Sequence, residues 1–197
     1  MTPLIHIVED DASMRRSLKR LIATTDFRAE AFTSAEDFLT RHDAAVPGCA
    51  LVDLGLPGKD GFAVQQALEG CERPVVFLTG TGSILACAWA MKAGAVDFLT
   101  KPADRDALLD ALQVALAKDA ERRVARSERN EAQERLASLT PREREVLDHV
   151  VEGRLNKQIA HDIGAALKTV KIHRGRMMRK MGVRSVAELV QLVHNRL

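Results

Sequence analysis

Cysteine is sparse in this sequence, and what there is of it is scattered. Cys49, Cys71 and Cys87 are odd in number and never closer than sixteen residues, which excludes a disulfide framework and any CxxC metal or redox motif and leaves reduced core thiols as the expectation. The six histidines (His6, His42, His149, His161, His173, His194) are equally dispersed, without HExxH or Cys/His ligand spacing, so no transition-metal site is expected. Long apolar runs are missing too. No window approaches the roughly 20 apolar residues that a membrane span needs, and no N-terminal stretch joins a basic head to an apolar run. The chain is therefore expected to be cytoplasmic, soluble and without membrane contact. Internal repeats and low-complexity segments are absent.

What is there suits two modest domains: 197 residues, 46% of them hydrophobic. The net charge of +2 hides an asymmetry. Residues 1–117 carry 11 Lys/Arg against 16 Asp/Glu, residues 118–138 carry 6 against 5, and residues 139–197 carry 12 against 6, giving −5, +1 and +6. An acidic front and a basic back are expected where only the back meets a polyanion.

Through residue 117, short apolar runs alternate with amphipathic stretches. The strands fall at Leu4–Val8, Phe27–Phe32, Cys49–Asp53, Pro74–Leu78 and Val96–Leu99, and the helices at Ser13–Thr24, Ser34–His42, Gly61–Gly70, Ser83–Ala93 and Asp104–Ala117. That pattern is (βα)5, an α/β flavodoxin-like domain with a parallel sheet covered on both faces and its sites at the strands' carboxyl ends. Ser34, with Asp37 three residues on, signals a helix cap. Residues 118–138 (KDAERRVARSERNEAQERLAS) lack Pro, Gly and an apolar stripe, which predicts a solvent-bridging helix continuous with the last helix of the domain. Val124 and Leu136 do not sustain a heptad, so a coiled coil is the secondary alternative. Thr140-Pro141-Arg142-Glu143 then combines a Thr cap, Pro at the first helical position and Glu three after the cap. Four helices follow, at about 141–152, 156–163, 167–181 and 185–195, forming an all-α domain over 139–197.

Three carboxylates belong to neighbouring strand ends: Glu9 and Asp10 after the first strand, Asp53 at the end of the third. Clustered carboxylates repel unless they share a cation, and an open oxygen-rich site suits Mg²⁺. Asp53 would then act as nucleophile, forming an aspartyl phosphate. Thr79 after the fourth strand offers a hydroxyl and Lys101 after the fifth a point cation, the remaining needs of phosphoryl transfer. Each residue alone has a plainer explanation, as a helix-end charge, a cap or a surface lysine; four strand ends together do not.

In the basic half, Ile159, Ala160 and Ile163 make one apolar helix face, Val170, Met177, Met178 and Met181 make the next, and the Gly164 region turns between them. This is a helix-turn-helix. Lys168, Lys171, Arg174, Arg176, Arg179 and Lys180 crowd the outer side of the second helix, where a solvated face would more often alternate in sign. A basic helix of this length fits the major groove of double-stranded DNA.

The runs IHIVEDD, ALVDLGLPGKDG, VVFLTG and AMKAGAVDFLTKP resemble a response-regulator receiver domain over residues 1–117. The run LTPREREVLDHVVEGRLNKQIA followed by KTVKIHR resembles the LuxR-type helix-turn-helix domain over residues 139–197. Together the chain is similar to the NarL/FixJ family of two-component response regulators, and its charged connector to the FixJ-type subgroup. The resemblance implies that Glu9, Asp10, Asp53 and the Gly55 carbonyl ligate Mg²⁺. It further implies that Asp53 takes phosphate from a sensor histidine kinase, with Thr79 as the sensing hydroxyl, Lys101 as the conserved lysine and Phe98 as the aromatic switch. A cis Lys101–Pro102 peptide is implied as well. In the C-terminal domain it implies that Lys171, Ile172 and Arg174 meet base edges or phosphates and that Asn156, Lys157 and Thr169 meet the backbone, with Lys168 and Arg176 beside them.

The function so implied is a phosphorylation-activated transcriptional regulator rather than an enzyme. Thr79 moves inward, Phe98 follows, the face of the fourth helix, fifth strand and fifth helix changes shape, and a homodimer forms on paired half-sites, with RNA polymerase as a further partner. Four departures stand out: Glu9 where Asp is usual, TGTGS at 79–83, Ala166 where a Ser cap is common, and Gly175 within a helix. Two rivals differ in class. A phosphohydrolase with an aspartyl nucleophile would need a second Asp where Gly55 stands. A response regulator whose C-terminal helices bind protein instead of DNA would lack a reason for the +6 charge.

Overall fold

A computed structural model of the chain describes residues 2–80 and 84–196. Contacts divide the chain into two compact units, Met1–Arg123 and Val124–Leu197. In the first unit the order is β1 (Leu4–Val8), α1 (Ala12–Ile22), β2 (Arg28–Phe32), α2 (Ala35–Arg41), β3 (Gly48–Asp53), α3 (Gly61–Leu68), β4 (Val75–Thr79), α4 (Ile84–Lys92), β5 (Asp97–Thr100) and α5, which starts at Arg105. The strands form one parallel sheet in the order β2-β1-β3-β4-β5.

The period of two along each strand sorts the apolar residues onto two faces. Ile5 and Ile7, Cys49 and Leu51, Val76 and Leu78 pack with Leu18 and Ile22 of α1 and Leu108 and Leu112 of α5. Val8, Ala50 and Val52, Val75 and Phe77 pack on the other side with Phe38 of α2, Val64 and Leu68 of α3 and Ala90 of α4. The central strands β1, β3 and β4 are buried along their whole length, so they read as continuous apolar runs. His6 lies among them, its ring 5.5 Å from that of Phe38, and burial pushes it down to about 4, so it is neutral at neutral pH. Of the three thiols only Cys49 is a core residue; Cys71 and Cys87 are half-buried.

The first three helices begin where side chains cap them. Asp11 Oδ1 accepts from Met14 N at 2.6 Å, Ser34 Oγ from Asp37 N at 3.2 Å and Asp60 Oδ1 from Ala63 N at 2.9 Å. α5 runs as a single helix from Arg105 to Ala137, as the connector's composition predicts. Its stretch at 119–123 still belongs to the first unit. Asp119 Oδ2 accepts from Gly48 N at 2.8 Å, and Arg123 donates to the carbonyls of Ala44, Ala45 and Val46.

In the second unit, α5 ends at Ala137 and is followed by α6 (Pro141–Val151), α7 (Asn156–Asp162), α8 (Leu167–Met181) and α9 (Val186–Arg196). Thr140 and Glu143 form the expected capping box on α6. Val146, Leu147 and Val150 of α6, Ile159 of α7, Val170, Met177 and Met181 of α8 and Leu189 of α9 make the core. Gly164 turns the chain between α7 and α8 with φ +63°, a conformation open to glycine and costly for side chains bearing a Cβ. Among the described residues, no helix is long and apolar enough to cross a membrane.

Candidate functional site: an acidic pocket and a basic helix

Parallel pairing brings the expected residues to one edge of the sheet. Val8 is opposite Val52 and Leu78 opposite Asp53, so Glu9, Asp53 and Thr79 emerge side by side at the carboxyl ends of β1, β3 and β4. Thr79 is also opposite Thr100, and Lys101 N donates to Thr79 O at 2.7 Å, which sets the lysine at the same edge. The Lys101–Pro102 peptide that follows is cis.

Lys101 Nζ bridges two carboxylates, 2.6 Å from Glu9 Oε2 and 2.8 Å from Asp53 Oδ2. Glu9, Asp53 and Thr79 are buried, whereas Asp10 is exposed. Burial, more than the neighbouring Asp53 charge, pushes Glu9 above the usual carboxylate range, and the Lys101 contact opposes it. For Lys101, burial acts downward, but the Asp53 and Glu9 carboxylates outweigh it and hold the ammonium above its ordinary value. Asp53 Oδ1 accepts from Gly55 N at 3.0 Å, which turns the following loop around the carboxylate. The loop returns at Gly61, where a Cβ would stand 2.8 Å from the Asp53 carbonyl oxygen and 3.0 Å from Phe77 Cε1, so only glycine fits without a shift. Phe98 on β5 is half-buried, its ring 6.3 Å from that of Phe77. Of the loop TGTGS, residues 81–83 lie outside the described residues.

The pocket's donors fit a hard divalent cation. Carboxylate oxygens of Glu9, Asp10 and Asp53 lie within 4.8 Å of one another, all are oxygen ligands, and two of these side chains are buried with one lysine between them. A contributor not anticipated from the sequence is Arg15, whose Nη1 donates to the carbonyls of Glu9 at 2.7 Å and Asp10 at 2.6 Å, pinning the turn that carries both acids. The signal was a cation early in α1, where the helix dipole favours an anion.

On α8, Lys168, Thr169, Lys171, Ile172 and Arg176 are exposed, as is Lys157 on α7. Ile172 keeps 46% of its surface exposed on a helix whose Val170, Met177 and Met181 are committed to the core. Arg174 and Asn156 are half-buried and joined, Nη1 to Oδ1, at 2.7 Å. Lys180, expected among the outward cations seeking an anion, has one inside its own unit: its Nζ is 2.6 Å from Glu143 Oε2 and 2.8 Å from Ser138 O. The Lys180 bond, ahead of the one from Thr140 N, holds Glu143 at about 2.

Comparison with known proteins agrees with both halves. The response regulator receiver domain matches residues 5–113, and the family of bacterial regulatory proteins of luxR type matches residues 137–193. Nodulation protein W of Bradyrhizobium diazoefficiens is 40% identical over 191 residues, covering 96% of this chain and 84% of that protein. The transcriptional regulatory protein FixJ of Azorhizobium caulinodans is 37% identical over 193 residues, covering 95% and 90%. Among solved structures, the response regulator StyR matches with a TM-score of 0.87 at 41% identity over 98% of both chains. Full-length FixJ from B. japonicum matches with a TM-score of 0.59 at 33% identity over 98% of this chain and 97% of that one.

Proposed function

Because the chain belongs to the response regulators that join a receiver domain to a LuxR-type DNA-binding domain, we propose that it is a transcription factor switched by a phosphoryl group on Asp53. The observation that carries this reading is the Lys101 bridge between Asp53 and Glu9 at the edge where Thr79 also ends its strand. We take the receiver domain as 1–117 and the DNA-binding domain as 139–197, joined by the connector 118–138, whose residues Asp119 and Arg123 also bond to the first unit.

Asp53 offers a carboxylate oxygen to the phosphorus of a phosphohistidine on a sensor kinase; the P–N bond breaks as the P–O bond forms. Mg²⁺ held by Glu9, Asp10, Asp53 and the Gly55 carbonyl would screen the charges that this approach brings together. Lys101 exchanges its contact with Asp53 for one with a phosphoryl oxygen. Thr79 donates its hydroxyl to another, and Phe98 turns into the space that Thr79 leaves. The face beside β5 then changes. Its α4 is apolar apart from Lys92, yet of its side chains only Ala90 is buried, while Ile84, Leu85 and Trp89 are exposed at 87%, 73% and 69%. A second copy of the chain is the partner that would cover them. Two linked basic heads then gain affinity for paired half-sites through effective concentration.

DNA is met by Asn156, Lys157, Lys168, Thr169, Lys171, Ile172 and Arg176, with Arg174 behind Asn156. RNA polymerase is the partner through which transcription changes, and the cytoplasm is where these partners meet. Acetyl phosphate with Mg²⁺ should label the wild-type chain at one site, and Asp53→Asn should abolish the label. Labelling of the substituted chain at the wild-type level would refute the assignment.

A further inference from the structure

Arg174 and Asn156 are both expected at the DNA, yet in the structure they hold each other. Arg174 on α8 donates from Nη1 to Asn156 Oδ1 at 2.7 Å across 18 residues of sequence, and both side chains are half-buried where Lys168, Lys171 and Arg176 are exposed. A guanidinium has donors and no acceptor, so the atom of the carboxamide facing it must be the oxygen. The amide orientation is thereby settled by chemistry. Its Nδ2, with two N–H donors, is left at the opposite side of the group, on the residue that opens α7 next to exposed Lys157.

We infer that Arg174 is a positioning residue: it fixes the Asn156 carboxamide so that Nδ2 donates to a backbone phosphate oxygen of bound DNA, and it acts on DNA affinity through Asn156 instead of through a phosphate of its own. The inference rests on the DNA-binding function proposed above. A donor held in place before binding loses little side-chain freedom on docking, whereas a free asparagine must be ordered by the DNA. The contact is independent of base sequence, so a random-sequence duplex suffices as the probe.

The test uses the full chain, treated with acetyl phosphate and Mg²⁺, titrated with that duplex over a range of salt. Arg174→Ala and Asn156→Ala should each weaken binding about tenfold, the loss expected for one hydrogen bond to a charged group. The double substitution should be no worse than either alone, because the two act as a unit. The slope of log affinity against log salt should stay at the wild-type value in Arg174→Ala, whereas a direct phosphate contact would lower it by about 0.9. Asn156→Asp keeps an acceptor for Arg174 but has no donor, so it should fold, as thermal unfolding would show, and bind no better than Asn156→Ala. This variant decides the matter if Arg174→Ala proves unfolded. Additive losses in the double variant, a slope reduced by about 0.9, or wild-type binding by Asn156→Asp would overturn the inference. A wild-type chain that binds no duplex at any salt would instead sink the DNA-binding function, and this inference with it.

Discussion

Two glycines in this chain carry opposite costs. At Gly61 a methyl group would meet the carbonyl oxygen of Asp53, Leu54 Cα and Phe77 Cε1 at 2.8 to 3.0 Å, two of them backbone atoms that cannot swing aside. Gly61→Ala should therefore destabilise the receiver unit by roughly 1–3 kcal/mol, the range for overpacking a tight site, and shift the Asp53 loop. Gly175 lies within α8, and a Cβ there would have nothing within 4 Å. Gly175→Ala should stabilise the second unit by roughly 0.5–1 kcal/mol. Denaturant unfolding of the two variants checks both signs. A neutral Gly61→Ala or a destabilising Gly175→Ala would show that the space around these residues is misjudged.

At the scale of elements, α6 and α8 are tied by Glu143, which caps α6 and pairs with Lys180 at 2.6 Å. Glu143 has a folded value of about 2 against an ordinary 4.5, so this tie stabilises the fold fully above pH 4.5 and is lost as pH falls through about 2. Lys180→Met removes the leading cause of the depression. Its Glu143 carboxyl, followed by NMR, should titrate above 2, and the variant should lose less stability than the wild type as pH falls from 4.5 towards 2; an unchanged titration would contradict the pairing.

The Glu143–Lys180 pair also shows where sequence reading ends. The strands were legible because both faces of the sheet are buried, and the acidic pocket was legible because parallel strands deliver their ends to one edge. Lys180, however, lies 37 residues from Glu143, and Arg174 lies 18 from Asn156. Helical periodicity shows a belt of cations on α8. It does not show which of them meet groups from another helix. Arg15 differs: its place early in α1 is unusual for a cation, but its partners are backbone carbonyls, which the sequence does not identify.

Across the whole molecule, the charge asymmetry and the two compact units describe one division of labour. The acidic pocket belongs to the unit Met1–Arg123 and the basic helix to the unit Val124–Leu197. Composition places the end of the first domain at residue 117; Asp119 and Arg123, through Gly48 N and the carbonyls of residues 44–46, extend that unit's contacts to Arg123. On the function proposed above, chemistry at Asp53 governs what α8 does to DNA. This is tested most directly by the affinity of the full chain for a duplex carrying a mapped genomic binding site, measured with and without acetyl phosphate and Mg²⁺, for wild type and Asp53→Asn. Phosphorylation should tighten wild-type binding and make it steeper in protein concentration, as a dimer requires, while Asp53→Asn should stay at the untreated level. Equal binding by treated and untreated wild type, or an equal response from Asp53→Asn, would contradict it.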